Sequence, residues 1–178
     1  MYACRVRAQL GCGIVVAMAC SPPLRPAPIA NATTAVALTV TTHGVGPIDA
    51  STPMRLAALR AALPGYDVAQ LHHGVISVAR GGEELLYLIS HGDDGSLDSV
   101  HVTSARIAVE GRPWRVGQRF DAAASFDVCE CGDDDRPICI KSGTPVALVV
   151  RDRCDMLPAQ HLGAPIIEII WAPHDFGD

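Results

Sequence analysis

The chain has 178 residues, 49% of them hydrophobic and 4% aromatic, with 14 basic side chains against 19 acidic ones and a formal charge of −5. That length fits one domain, and the charge repels phosphate backbones; with no run of lysine or arginine to override it, the sequence argues against binding DNA or RNA. No apolar run reaches the roughly 20 residues that a membrane-spanning helix requires.

Residues 1–19 read as a signal peptide. Arg5 and Arg7 precede a short apolar stretch from Leu10 to Ala19, too short to cross a bilayer but long enough to engage export machinery. Ala17-Met18-Ala19 before Cys20 resembles a bacterial lipobox, in which Cys20 is lipidated and becomes the first residue of the mature chain. The same residues satisfy the A-x-A rule of ordinary signal peptidase, the alternative mode of cleavage. Residues 20–35 contain Pro22, Pro23, Pro26 and Pro28 without a packing period and form a proline- and alanine-rich tether. At about 3.1 Å per residue it would hold a domain about 40 Å from an anchoring lipid. Cleavage removes Arg5, Arg7, Cys4 and Cys12, leaving 12 basic against 19 acidic residues, a formal −7.

Residues 36–175 are expected to form a single α+β domain. Val36, Leu38 and Val40 alternate with smaller residues and predict a first strand running toward Gly44-Val45-Gly46-Pro47. Ser51-Thr52-Pro53 supplies a capping hydroxyl and a proline at the first helical position, so the spacing of Leu56, Leu59 and Leu63 predicts a helix over 52–63, stopped by Pro64-Gly65. Strands follow at 75–79, 85–89 and 97–102, separated by Gly81-Gly82 and Asp93-Asp94-Gly95 turns. Past Ile107-Ala108-Val109 the order recurs, with Asp121 capping a short helix over 121–127 and strands at 137–140, 146–150 and 166–171. The chain thus reads as two helix-plus-antiparallel-meander units, a pseudo-repeat with halves at about 36–105 and 106–175. Strands 147–150 and 166–171 are apolar on both faces, as strands covered on both sides are.

With Cys20 lipidated, Cys129, Cys131, Cys139 and Cys154 remain. An even number in an exported domain points to two disulfides, and the spacing lacks the C-x2-C to C-x4-C pairs of structural zinc sites. A hairpin turning at Ser142-Gly143 puts Cys139 opposite about position 148. Cys154 then lies about 20 Å further along the strand, beyond the roughly 7 Å reach of a bridge. Pairing Cys129 with Cys131 closes a small strained ring. Two schemes remain, each tying one member of that close pair to Cys139 and the other to Cys154.

The remaining polar residues have plain structural readings beside their chemical ones. His72, His73, His91 and His101 with Asp93, Asp94 and Asp98 contain metal-ligand types, but Asp93-Asp94-Gly95 is the composition of a tight turn. A calcium loop starting at Asp94 fails, with Ser99 where glycine and Ala105 where glutamate are needed. Asp133-Asp134-Asp135 reads as a solvated loop. Ser90-His91-Gly92-Asp93 lists a nucleophile, base and orienter, yet adjacent strand residues face opposite ways and no G-x-S-x-G elbow exists. Gly44-Val45-Gly46 lacks the third glycine of a dinucleotide loop, and Trp114 and Trp171 read as core or sheet-edge aromatics. No catalytic residue, metal ligand or cofactor is therefore expected.

Gly44-Val45-Gly46 with Ala50-Ser51-Thr52-Pro53, then Leu63 and Gly65-Tyr66, the strand 97–102 and the terminal Ile169-Ile170-Trp171 resemble the RpoE-regulated lipoprotein family, bacterial envelope domains of unknown function. The resemblance covers about residues 43–172. It implies a periplasmic domain anchored to the outer membrane by lipid on Cys20 and connected with envelope stress, with no active site to carry over. The chain departs from that pattern in having four cysteines in its second half where a single pair is expected. The expected function is non-enzymatic: binding of a protein or cell-wall partner, with acidic loops at 93–98 and 130–135 suited to a basic one such as a wall-degrading enzyme. The alternative is a small periplasmic metal-dependent hydrolase using His72, His73 and His91.

Overall fold

The computed structural model describes residues 35–91, 95–121, 125–132, 134–154, 157–174 and 176. In chain order these form β1 (Thr39–Val40), β2 (Gly44–Val45), β3 (Ile48–Asp49), α1 (Leu56–Ala62), β4 (Asp67–His72), β5 (Val75–Arg80), β6 (Glu83–His91) and β7 (Ser96–Val102). Then come β8 (Ala108–Val109), β9 (Val128–Cys131), β10 (Pro137–Ile140), β11 (Val146–Val150), a 3-10 turn at Pro158–His161 and β12 (Ile166–Trp171). Thr33–Asp178 is one compact unit. The signal peptide and nearly all of the tether expected at 1–35 lie outside the described residues.

Eight strands build one antiparallel sheet in the order β4-β5-β6-β7-β12-β11-β10-β9. That order is palindromic: two four-stranded meanders, β4–β7 and β9–β12, join through their last strands. The duplication read from the order of elements is thus present in the sheet topology. A second, smaller sheet, β3-β2-β1-β8, contains the parallel pair β1·β8, with Val40 opposite Val109.

Side chains one register row apart face opposite sides of a sheet, so a row of apolar residues across all strands marks a buried face. Here the row is complete. Val68, Val78, Leu86, Val102, Ile169, Leu148, Cys139 and Cys129 are cross-strand partners in turn, and all are buried. Leu59 of α1 and Leu63, which caps its C-terminus, Ile48 and Val45 of the small sheet, and Phe120 pack into the same core. The opposite face divides in two. Its β9–β12 half is apolar, with Ile140, Ala147, Val149 and Ile170 forming a second cluster, whereas its β4–β7 half carries Ser77, Tyr87 and His101.

Gly81 and Gly82 both have positive φ, 62° and 80°, and join β5 to β6 through a two-residue turn whose twist matches that of the strands. Gly44 serves a different need. A Cβ there would stand 1.9 Å from the Ile48 carbonyl oxygen, so the glycine allows the close approach of β2 to β3.

Some expected elements differ. The helix begins at Leu56 and not at 52, and its N-cap is Arg55, which makes no side-chain cap. The capping residues are spent on a preceding turn: the Asp49 carboxylate accepts from the Ser51 N–H and hydroxyl at 2.9 and 2.7 Å, and the Asp49 N–H donates to Thr52 Oγ1 at 2.9 Å. The first strand, expected from Val36, shortens to Thr39–Val40. The short helix placed at 121–127 falls partly outside the described residues. At its end Asp127 already donates its N–H to Ile140 O at 2.9 Å, so the chain there has begun the β9·β10 ladder. The sequence pattern does not predict β4 and β9 of the large sheet, nor the two-residue strands β2, β3 and β8 of the small one.

Candidate functional site

The open polar half of the sheet gathers side chains from three strands. His101 on β7 and Tyr87 on β6 are directly opposed, and their rings stack with centroids 4.6 Å apart and planes 14° from parallel. From β12, Glu168 Oε1 accepts the Tyr87 hydroxyl at 2.9 Å and contacts His101 Nδ1. Ser99, two residues before His101 and so on the same face, places Oγ 2.9 Å from His101 Nε2 and 3.1 Å from Asp98 Oδ2. With Nδ1–H donated to Glu168, a neutral His101 presents Nε2 as acceptor and Ser99 donates to it. A protonated His101 donates through Nε2 and turns the serine proton toward Asp98. The atoms thus follow the order of a serine–histidine–carboxylate relay. The Ser99 residue is 6% exposed, and the His101 and Glu168 side chains 14% and 15%, so the relay is largely covered.

Burial and the Glu168 carboxylate push the Tyr87 phenol above its ordinary value. A phenol whose proton is held more tightly in the fold stabilises the fold fully below the unfolded value of about 10, and that stability is lost as pH rises from there toward the folded value. Urea unfolding followed across that alkaline range should show wild type losing stability and Tyr87→Phe losing less. Parallel losses in the two proteins would remove Tyr87 as the cause.

A second feature lies where the ends of β1 and β8 meet the β10–β11 turn, a cavity of about 120 Å³. Val40, Val109, Trp114, Phe126 and Val146 give it apolar walls, and Glu110, Arg112 and Lys141 also line it. The aromatic wall is braced: Trp114 and Phe126 have ring centroids 5.2 Å apart, Phe126 and Phe120 5.5 Å, and the Arg112 guanidinium stands 5.2 Å over Trp114.

The four cysteines of the domain are bonded, Cys129 to Cys139 and Cys131 to Cys154. This chooses between the two schemes the spacing leaves open. Cys139 stands opposite Leu148 on one side and Cys129 on the other, so the first bridge lies inside the buried row. The second ties edge strand β9 to the loop after β11. In that loop, buried His161 places Nδ1 3.2 Å from Asp152 Oδ2, and this hydrogen bond holds the Asp152 carboxyl below its usual range. The Ser51 hydroxyl and N–H do the same for Asp49.

Among the described residues, the histidines of metal-ligand type are not brought together. His72 is exposed on edge strand β4 and His73 is in the following turn, whereas His101 is three strands away, about 14 Å at ordinary strand spacing. Asp93 and Asp94, like Cys20, lie outside the described residues. Among the described residues no three His, Cys, Asp or Glu side chains form a metal-binding group. Trp171 is core, but Trp114 is both core and cavity wall. The sequence pattern does not reveal the relay through Ser99, Tyr87 and Glu168. Ser99-Val100-His101 does carry a signal, because i and i+2 share a strand face, whereas Glu168 reaches His101 only through the strand order.

No family model matches the chain, and no curated protein matches it. Among solved structures it is similar to the crystal structure of the uncharacterized protein yfeY from Escherichia coli, with a TM-score of 0.58 at 18% identity, covering 75% of this chain and 99% of that one. At that identity the likeness is one of fold.

Proposed function

We propose that the protein is an exported envelope lipoprotein of the RpoE-regulated lipoprotein family, held at the periplasmic side of the outer membrane by lipid on Cys20. Its domain acts there by binding a protein or cell-wall component and performs no chemistry. The observation that carries this reading is the pair of disulfides, Cys129–Cys139 and Cys131–Cys154, which fit a protein that matures outside the reducing cytoplasm. The charged and apolar leader ending at Cys20 supplies a route out, and no helix among the described residues is long and apolar enough to cross a membrane. The likeness of fold to yfeY agrees with the resemblance carried by the turn, helix and final-strand residues.

The serine–histidine–carboxylate order on the open face is what would favour a hydrolase. We assign it to structure instead. Ser99 is nearly covered, Asp98 competes for its proton, and Glu168 is shared with Tyr87. Intact mass of the protein isolated from membranes tests the proposal. It should report a chain beginning at an acylated Cys20 with both bridges formed, and Cys20→Ala should move the protein to the soluble fraction. An unacylated chain beginning elsewhere, or free thiols in the domain, overturns the localisation. Labelling of Ser99 by a fluorophosphonate probe overturns the non-enzymatic part.

A further inference from the structure

We infer that the cavity between the small sheet and the β10–β11 turn is a binding site for a monocarboxylate bearing one compact apolar group. The inference rests on the binding role proposed above and names the ligand for it. A dry apolar cavity of 150 Å³ accommodates benzene, so this partly open cavity of about 120 Å³ suits a group of about one ring or a short branched chain. The walls are of the right kind, since Val109, Val146 and the tilted Trp114–Phe126 pair offer aliphatic and aromatic surface together. The charge of the lining supplies the other half of the recognition. Arg112 and Lys141 both line the cavity, and neither is ion-paired to a described acidic residue, in a chain whose overall charge is negative. Glu110 lines it too, so the surplus is a single positive charge, which matches a monoanion and disfavours a phosphate or a dicarboxylate. Arg112 is held over the Trp114 ring, leaving its planar fork positioned without the full loss of side-chain freedom on binding.

Calorimetric titration of the exported chain carrying Cys20→Ala tests this, because that protein keeps every domain residue and needs no detergent. Its outcome is therefore independent of whether Cys20 is acylated. The probes are 4-methylbenzoate, 4-methylbenzyl alcohol and 4-methylbenzylamine, with the tripeptide Ala-Ala-Phe and its C-terminal amide distinguishing a free acid from a chain terminus. One of the two carboxylates should bind saturably and about ten-fold tighter than its neutral counterpart, the size of one charge-assisted hydrogen bond. The amine should bind weakest of the three methylbenzyl probes. Arg112→Ala with Lys141→Ala, both at exposed positions where folding is not at stake, should bring acid and neutral probe to within about two-fold, and Glu110→Gln should tighten the acid. Equal binding of acid, alcohol and amine, unchanged preference in the double variant, or no saturable binding of either carboxylate overturns the inference.

Discussion

Replacing Cys129 and Cys139 together by alanine is expected to destabilise the domain by about 4 to 5 kcal/mol, more than replacing Cys131 and Cys154, at about 3 kcal/mol. Loop length alone predicts the reverse. The bridges span sequence separations of 10 and 23 residues, and the entropy removed from the unfolded chain corresponds to about 2.7 and 3.4 kcal/mol respectively. The order is inverted by position. Cys129 and Cys139 are fully buried, side by side in the row of eight residues that forms the covered face, so removing each sulfur also leaves a void comparable to a lost methyl group, about 1 kcal/mol apiece. Cys131 is exposed, and its bridge acts on the unfolded chain and on the loop it tethers. Denaturant unfolding of the two double variants under oxidising conditions measures the difference. If the loss of Cys131–Cys154 costs more, loop closure outweighs core filling and the packing role assigned to Cys129–Cys139 is wrong.

The same contrast between covered and exposed positions decides which parts of the fold could be read from the sequence. β5, β6, β7, β10, β11 and β12 are flanked by other strands and carry dense apolar residues bounded by Gly-Gly, Asp-Gly or Ser-Gly turns, so their signals are strong. β4 and β9 are the two edges of the sheet. β4 buries only Val68 and β9 only Cys129, and a strand with one buried side chain has no alternation to detect. Edge protection is equally hidden: Arg60 of α1 donates through Nε and Nη2 to the Val68 carbonyl at 3.1 and 3.0 Å, covering a group that a further strand would need. The helix starts later than its capping residues suggest because Ser51 and Thr52 have a nearer partner in Asp49, a competition between turn and cap that composition does not rank. The candidate site was legible only where it is local. Hairpin arithmetic placed Cys139 against Leu148 and excluded a Cys139–Cys154 bridge, but Glu168 meets His101 across 67 residues and Tyr87 across 81.

Ile169→Ala should lower the unfolding free energy by about 3 kcal/mol and move the urea midpoint down by about 1.5 M, with the slope of the transition unchanged. The reason lies in how the two meanders meet. Among the described strands, the hydrogen-bonded join between them is the β7·β12 pair, through Val102–Ile169, His101–Ile170 and Val100–Trp171. On the covered face Ile169 fills the row between Val102 of the first meander and Leu148 of the second, with no exposure to solvent. Shortening it opens a void that residues of both halves line and neither half can close alone. On the other face Glu168 reaches back across the same join to His101 and Tyr87, so the seam is clamped by apolar packing on one side and by hydrogen bonds on the other. Because a single core takes residues from both meanders and from α1, the loss should be shared by the whole domain, in one transition. Leu71→Ala, at a position 56% exposed on edge strand β4, serves as the comparison and should change stability by less than about 0.5 kcal/mol. Two separated transitions in Ile169→Ala, or a shallower single one, would show that the halves fold independently and that the seam is an interface between two units.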